Sequence, residues 1–374
     1  MRRLLVTGGA GFIGTNFVRH WLQSRPEDRV VVLDIMSYAA NPQSLADLQG
    51  RSLRLVRGDI RDQEAVAALL RAEGIDTVVH FAAESHVDRS IEGPDAFIDT
   101  NIVGTHALLK AVRSVWLAGE RTVERRFHHV STDEVYGSLE PQDAPFNEAT
   151  PFAPNSPYSA SKAASDHLVR AYHRTYGLPV TISHCSNNYG PYQFPEKLIA
   201  LTATHALLGR DLPVYGDGRH VRDWLYVEDH CRAIGAILDR GRPGETYDIG
   251  GGTELGNLEI VEILCERIDR LFDRDPELAR RFPDAPAARG VHTASLIRHV
   301  ADRPGHDRRY AIDAAKAARE LGFSPAMSFR DGIDRTLRWY VDNEHWWRRG
   351  QADAVPPGRA RLSRESPARA AAGH

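Results

Sequence analysis

The sequence of 374 residues holds only three cysteines, Cys185, Cys231 and Cys265. Their number is odd and their spacing fits no metal-ligand pattern, which excludes a disulfide framework and a zinc site. Charge of one sign is missing as well: 47 Lys and Arg stand against 50 Asp and Glu, a formal net charge of -3. No global field draws the chain to nucleic acid or to an anionic membrane. Long apolar runs are also missing. Met1-Arg2-Arg3 leads into an apolar stretch that Gly8, Gly9 and Gly11 interrupt, too short for a signal-peptide core or a bilayer span. These absences lead to the expectation of a soluble, cytoplasmic protein. What is present, 42% hydrophobic and 26% charged residues, is ordinary globular usage. The length suits one large α/β domain and a smaller one.

Residues 3–6 read as a strand, followed by a glycine-rich turn and a helix from Phe12. The β-branched run 30–33, ending at Asp34, reads as a strand buried on both faces. Further strands are expected at 53–56, 77–81, 127–130 and 180–183, with helical patterns at 63–72 and 101–115 between them. Such alternation implies right-handed βαβ units in a doubly wound parallel sheet of Rossmann type. Polar residues cluster just after the strands, at the edge where open α/β sheets bind ligands. Beyond about Pro191, short apolar pieces at 212–215, 224–227 and 246–249 alternate with helical patterns at 198–208, 229–238, 258–272 and 331–343. The expected organisation is a dinucleotide-binding domain with the catalytic residues over 1–190, to which some later segments return. A smaller C-terminal substrate-binding lobe spans 191–345, and a disordered tail spans 346–374. Residues 273–292, rich in Pro, Arg and Ala, read as a mobile surface insertion. No internal repeat is present.

Gly8, Gly11 and Gly14 have a G-x-x-G-x-x-G spacing between strand and helix, with Phe12 and Ile13 opening the helix. Missing side chains let a pyrophosphate approach the backbone, and the helix N-terminus adds amide donors. Asp34 follows about 20 residues on, at the end of the second strand, where ribose hydroxyls lie. A carboxylate there repels a 2′-phosphate, which favours NAD over NADP. Three more loops share this edge: Asp59-Ile60, residues 81–85 with Ala82, Ala83 and Ser85, and Thr100-Asn101. Asp59 suits either an acceptor for an adenine amino group or a helix N-cap. Ala82 and Ala83 are small, as a loop against a pyrophosphate requires.

Tyr158 and Lys162 stand at i, i+4, one face of a helix. An ammonium beside a phenol lowers the phenol pKa, making Tyr158 a base for a hydroxyl proton during hydride transfer. Ser131-Thr132 lies a short interval upstream, followed directly by Asp133 and Glu134. Two carboxylates at one site repel, so their pKa values split into an acid and a base. Removing water from a sugar needs such a pair; the plain alternative is that both cap the next helix.

Over residues 2–343 the sequence resembles the dTDP-glucose 4,6-dehydratases of the extended short-chain dehydrogenase/reductase family. The resemblance is carried by 7–14, 80–89, 131–137, 158–162, 186–197, 222–229 and 302–310. The Thr132-Asp133-Glu134 triplet is its distinguishing mark, since related 4-epimerases and decarboxylases usually lack the acidic pair. The resemblance implies NAD as a retained cofactor, touched by Tyr158, Lys162 and Asn188 besides the residues above. It implies C4 oxidation through Tyr158, Thr132 and Lys162, loss of water through Glu134 and Asp133, and hydride return to C6. The product would be a 4-keto-6-deoxy sugar nucleotide for deoxysugar biosynthesis. Ser85, Thr132 and Asn187 match positions against the hexose or its phosphates. Lys197, Leu198, Pro213, Tyr215 and Asn257 match nucleotide-clamping segments, and Arg222, Arg303 and His306 match basic positions. A diphosphate can be held bidentately by Arg, although any one Arg in this Arg-rich chain also suits a surface charge. The 273–292 stretch and the tail depart from the family pattern, which bears on the thymine assignment more than on the chemistry.

The family also implies a homodimer through the 101–115 helix and the helix bearing Tyr158; packing against the sheet would give the same pattern. Two other readings compete. One is a 4-epimerase or decarboxylase on a UDP-sugar, against which Asp133-Glu134 argues. The other is a non-catalytic NAD-binding regulator, against which the intact Tyr158 and Lys162 argue.

Overall fold

The computed structural model describes residues 1–50, 52–118 and 124–353. Seven strands form a parallel sheet in the order β3-β2-β1-β4-β5-β6-β10. They are β1 Arg3–Thr7, β2 Arg29–Asp34, β3 Leu53–Arg57, β4 Thr77–His80, β5 Arg126–Thr132, β6 Val180–Cys185 and β10 Thr246–Ile249. The order reverses between β1 and β4, which opens a crevice at their carboxyl ends. The strands are apolar because helices cover both faces. Along β1, Leu5 packs with Val31, Leu70, Leu108 and Phe127, while Leu4 and Val6 pack oppositely with Phe17, Trp21 and Val32. β10 joins the sheet beside β6, so the chain returns to the first layer as its later segments were expected to.

The remaining strands make two small sheets. β7 Asn187–Tyr189 and β11 Glu254–Gly256 flank β9 Val221–Tyr226, and β8 Leu212–Tyr215 pairs with β12 Ile297–Val300. The 101–115 helix differs from expectation: it begins as a π-helical stretch, Ile98–Gly104, and turns α-helical over Thr105–Trp116. Such wide turns often sit at functional sites.

Two expectations need correction. Residues 273–292 are packed, not a mobile insertion. Helix Glu277–Arg281 and a 3-10 turn Pro286–Arg289 bury Leu278, Phe282 and Ala285 against Leu264 and Ile268. Leu278 and Phe282 stand at i, i+4, an apolar stripe hidden in an Arg-rich composition. The tail does not begin at 346 either, because helix Glu344–Asp353 carries fully buried Trp347. Its indole donates to the Tyr340 carbonyl at 2.8 Å, and the Trp346 indole donates to Ser44 Oγ at 2.8 Å. The rest of the expected tail, 354–374, lies outside the described residues. Among the described residues no helix is long and apolar enough to cross a membrane, and the three cysteines are free and buried.

The packed segment yields a stability prediction. Phe282→Ala should lower the unfolding free energy by about 3 kcal/mol in urea titration. A change below about 0.5 kcal/mol would mean that the segment behaves as a loose surface loop.

Candidate active site

Two close approaches shape the glycine loop. Gly8 has φ +69, and a Cβ there would lie 2.6 Å from the amide nitrogen of Ala82. A Cβ on Gly14 would lie 2.3 Å from the Gly8 carbonyl, so the helix seats directly on the loop. Gly11, the N-cap of helix Phe12–Ser24, is different. A Cβ there would meet only the Gly8 carbonyl, at 3.3 Å, and faces open space otherwise. The helix has no side-chain cap and no acidic residue in its first turn, so its leading amides are free for an anion.

Asp34, at the end of β2, accepts from the amides of Ala10 at 3.0 Å and Met36 at 2.8 Å, while burial pushes its carboxyl upward. Burial also works against Asp59, but Arg61 outweighs it and holds that carboxyl below the usual range. Arg61 donates both its amide and Nε, each at 2.8 Å. The N-cap role open to Asp59 belongs instead to Asp62, whose Oδ1 accepts from Ala65 at 3.0 Å. Ile60 packs against Gly104, beside the π-helical turn that carries Thr100. The next residue, Asn101, accepts from the Glu84 amide at 2.9 Å and donates to its carbonyl at 3.0 Å. Its amide also reaches Ser161 Oγ at 2.8 Å, tying the loop of Ala82, Ala83 and Ser85 to the helix Pro157–Tyr176.

Thr132 ends β5 and caps a 3-10 turn, Asp133–Tyr136, accepting from the Glu134 amide at 3.3 Å. The acidic pair is therefore not needed as the cap. Asp133 is 1% exposed, with Oδ1 3.3 Å from Thr132 Oγ1 and Oδ2 without a protein partner. Burial, then Glu134 and Asp223, push its carboxyl far above the ordinary range. Glu134 is also raised by burial, but Lys197, Arg222 and Arg303 all pull against the rise. The pair is split, with the more strongly raised carboxyl on Asp133.

Tyr158 and Lys162 lie on the helix Pro157–Tyr176, whose start is fixed by a capping box between Ser156 and Ser159. The phenol hydrogen-bonds Thr132, and burial followed by Glu134 holds it well above its usual pKa. This corrects the expectation that Lys162 lowers it. The buried ammonium donates to the Val130 carbonyl at 2.8 Å instead.

The basic residues converge from the other side. Lys197 Nζ donates to the Ser85 carbonyl at 2.7 Å, and Leu198 opens the following helix. Buried Arg222 donates to the carbonyls of Val221 and Asp307 at 2.7 and 2.9 Å and lies over Tyr310. Arg303 pairs with Asp88 at 2.7 Å above the ring of Tyr215, two residues after Pro213 on β8. Asn187 keeps a buried Oδ1 without a protein partner. Asn188 instead is committed to the fold, to His230 and to the Ser186 carbonyl, both at 2.9 Å. Asn257 starts a helix, its amide on the His220 carbonyl at 2.9 Å. His306 pairs with Asp302 at 2.7 Å and stacks on His220 at 3.6 Å. These three side chains bring ligand-type atoms within 4.8 Å. The two rings are only 17° from parallel, so their lone pairs run side by side instead of converging on one ion.

A family model described as GDP-mannose 4,6 dehydratase matches residues 5–336. The dTDP-glucose 4,6-dehydratase of Xanthomonas campestris pv. campestris (strain B100) is 55% identical over 349 residues, 92% of this chain and 95% of the relative. The chain belongs to the dTDP-glucose 4,6-dehydratases. Among solved structures, the family member DesIV from Streptomyces venezuelae, with NAD bound, superposes with a TM-score of 0.83 at 49% identity. That match covers 93% of this chain and 99% of DesIV. The dTDP-glucose 4,6-dehydratase of Bacillus anthracis, in complex with NAD, gives 0.80 at 41% identity, covering 94% and 100%.

Sequence reasoning missed Asn101 as a clamp and the buried polar side chains under this dehydratase site, His129, Asp166, His184 and Asp248. Adjacent histidines in a strand otherwise expected to be apolar were the available signal.

The raised Asp133 carboxyl makes a stability prediction. A folded-state pKa above the unfolded one gives stability that is present below the unfolded value and lost as pH rises through the folded one. Asp133→Asn should therefore be more stable than the parent in urea at pH 8. The difference should vanish below about pH 4. Equal stability at both pH values would show that Asp133 carries no such penalty.

Proposed function

We propose that the acidic pair and Tyr158 act in sequence on one sugar nucleotide. The protein is an NAD-dependent lyase that dehydrates dTDP-glucose to dTDP-4-keto-6-deoxyglucose, a step of deoxysugar biosynthesis. NAD, held by the residues named below, would supply the hydride acceptor for C4 and the hydride donor for C6. Tyr158 in its phenolate form accepts the C4 hydroxyl proton, with Thr132 hydrogen-bonded beside it. The 4-keto group acidifies C5, and Glu134 removes that proton. Asp133 donates its proton to the C6 hydroxyl, which leaves as water. Glu134 then returns a proton to C5. The observation that carries this reading is the buried Asp133, one oxygen unpartnered, next to a Glu134 that Lys197, Arg222 and Arg303 face; burial raises both carboxyls, that of Asp133 further.

The residues fit the cofactor. The open side of Gly11 and the uncapped helix behind it suit a pyrophosphate, with Gly8, Phe12, Ile13, Gly14, Ala82 and Ala83 around it. Asp34 would take the ribose and Asp59 with Ile60 the adenine side. Tyr158, Lys162, Ser85, Thr100 and Asn188 would line the rest. For the substrate, Ser85, Thr132 and Asn187 face the hexose, and Arg222 and Arg303 the diphosphate. Lys197, Leu198, Pro213, Tyr215, Asn257 and His306 hold the nucleoside. In this arrangement residues up to 190 serve mainly the dinucleotide and 191–345 mainly the sugar nucleotide. Exposed Ile98, Val103 and Tyr176, on two helices joined by Arg113 over Tyr176, support a homodimer. We place the enzyme in the cytoplasm.

Incubation with dTDP-glucose, followed by mass spectrometry, should give a product lighter by one water, with UDP-glucose and GDP-mannose unchanged. An isomer of unchanged mass would replace this reading with a 4-epimerase. Tyr158→Phe should form no NADH, whereas Glu134→Gln should form NADH and stall before water is lost. Full turnover by Glu134→Gln would remove the role assigned to it. Light scattering at micromolar concentration should give twice the chain mass, and the mass of one chain would exclude the dimer.

A further inference from the structure

Beneath the catalytic residues, five elements meet at buried polar side chains. Asp166 lies one turn beyond Lys162 on the helix Pro157–Tyr176 and is fully buried. Its Oδ2 accepts from Ser131 Oγ on β5 and from His184 Nε2 on β6, both at 3.0 Å. Its Oδ1 lies 3.2 Å from His129 Nε2, also on β5. The other nitrogen of His184 lies 3.0 Å from Asp248 Oδ1 on β10 and 2.7 Å from the Tyr136 hydroxyl. That hydroxyl donates to Asp248 at 2.9 Å. Ser131 and Tyr136 bracket Thr132, Asp133 and Glu134 in the chain.

A buried ion pair is seldom more stabilising than apolar residues of the same volume, so stability alone does not account for this one. The neighbours of Lys162 suggest what does. From its own helix Asp166 faces it, from β4 His80, from β5 His129 and from β6 Cys185. Burial drops His129 to about 4, takes His80 well below its usual value and pushes the Cys185 thiol upward. All three are uncharged at neutral pH. Burial also opposes the charge of Asp166, yet His129 and His184 hold its carboxyl far below the usual range. His184 is carried the other way, against burial, to about 9 by Asp166 and Asp248. For Lys162, burial lowers the pKa and Asp166 is the first influence opposing it.

We propose that Asp166 is a positioning residue for the dehydratase reaction: it is the buried counter-charge that keeps Lys162 cationic. Through Ser131, His184, Asp248 and Tyr136 it also fixes the Thr132–Glu134 turn against the helix bearing Tyr158. The proposal rests on the function given above, because it concerns the ammonium one helical turn from the proposed base.

Asp166→Asn keeps the shape and the hydrogen-bonding capacity but removes the charge. Without it the ammonium loses its proton more easily, so the alkaline limb of the kcat–pH profile should move down by about one unit, tenfold in proton affinity. KM for dTDP-glucose should change little, and Asp166→Glu should restore the limb. A uniform fall in kcat at every pH, with the limb unmoved, would reduce Asp166 to a structural residue. So would a limb displaced equally in Asp166→Glu. Should Asp166→Asn not fold, nitrogen-15 NMR of the histidines in the parent holoenzyme decides. His184 should stay doubly protonated through about pH 8, and a neutral His184 at pH 7 overturns the proposal. Parent enzyme without turnover of dTDP-glucose would instead overturn the functional reading, which separates the two failures.

Discussion

The structure depends on one costly arrangement, a carboxyl group at Asp133 sealed from water with an oxygen left unpartnered. Such a group persists only neutral or beside a compensating charge. Arg222, the cation that bears on it, is engaged by two backbone carbonyls and by the face of Tyr310. Burial outweighs it and raises the Asp133 carboxyl. Glu134, the next residue, meets Lys197, Arg222 and Arg303. A single step along the chain thus separates two carboxyls in different electrostatic settings. The 3-10 turn makes this possible, because three residues per turn send successive side chains in directions about 120° apart. Thr132 has two tasks, capping that turn and hydrogen-bonding the phenol of Tyr158.

The dinucleotide side is built differently. Gly8 and Gly14 bring backbones together at distances no side chain would allow, and the surface they leave is made of amides. Its orientation comes from the sheet, with Asp34 holding the Ala10 amide and Thr15 the Gly9 carbonyl. Asn101 links that surface to the catalytic helix, bonding Glu84 at both backbone atoms and Ser161 at its hydroxyl. The loop of Ala82 and Ala83 and the helix of Tyr158 are therefore held by one amide side chain.

Much of this was legible in the sequence, for local reasons. The first six strands, β1 to β6, the glycine loop and Asp34 follow from period, turn chemistry and position after a strand. Tyr158, Lys162 and the acidic pair follow from spacing and resemblance. What was not legible depended on distant partners. The apolar stripe of Leu278 and Phe282 sits among arginines and prolines, and only the helix Asn257–Arg274 shows what it packs against. Trp346 and Trp347 fell inside a segment whose composition reads as a tail, yet Ser44 and Tyr340 receive their indoles. The phenol of Tyr158 was expected beside a cation, but the ammonium of Lys162 is committed to Val130 and burial prevails.

The same contrast explains where the sheet departs from apolar composition. Strands buried on both faces are normally Val, Ile and Leu, as β2 is here. β5 and β6 instead carry His128, His129, Ser131, Thr181, Ser183 and His184, all buried. On one face His128 bonds Thr181 and Ser183 at 3.0 and 3.1 Å; on the other His129, Ser131 and His184 surround Asp166. Strands that present only backbone amides to a ligand can stay apolar, since the sheet itself aims those amides. Strands that end in groups moving protons cannot, because a carboxyl and a phenol turn about their χ angles unless other side chains fix the elements bearing them. In this chain the two most polar strands are those that adjoin Thr132, Asp133, Glu134 and Tyr158, the groups proposed to move protons.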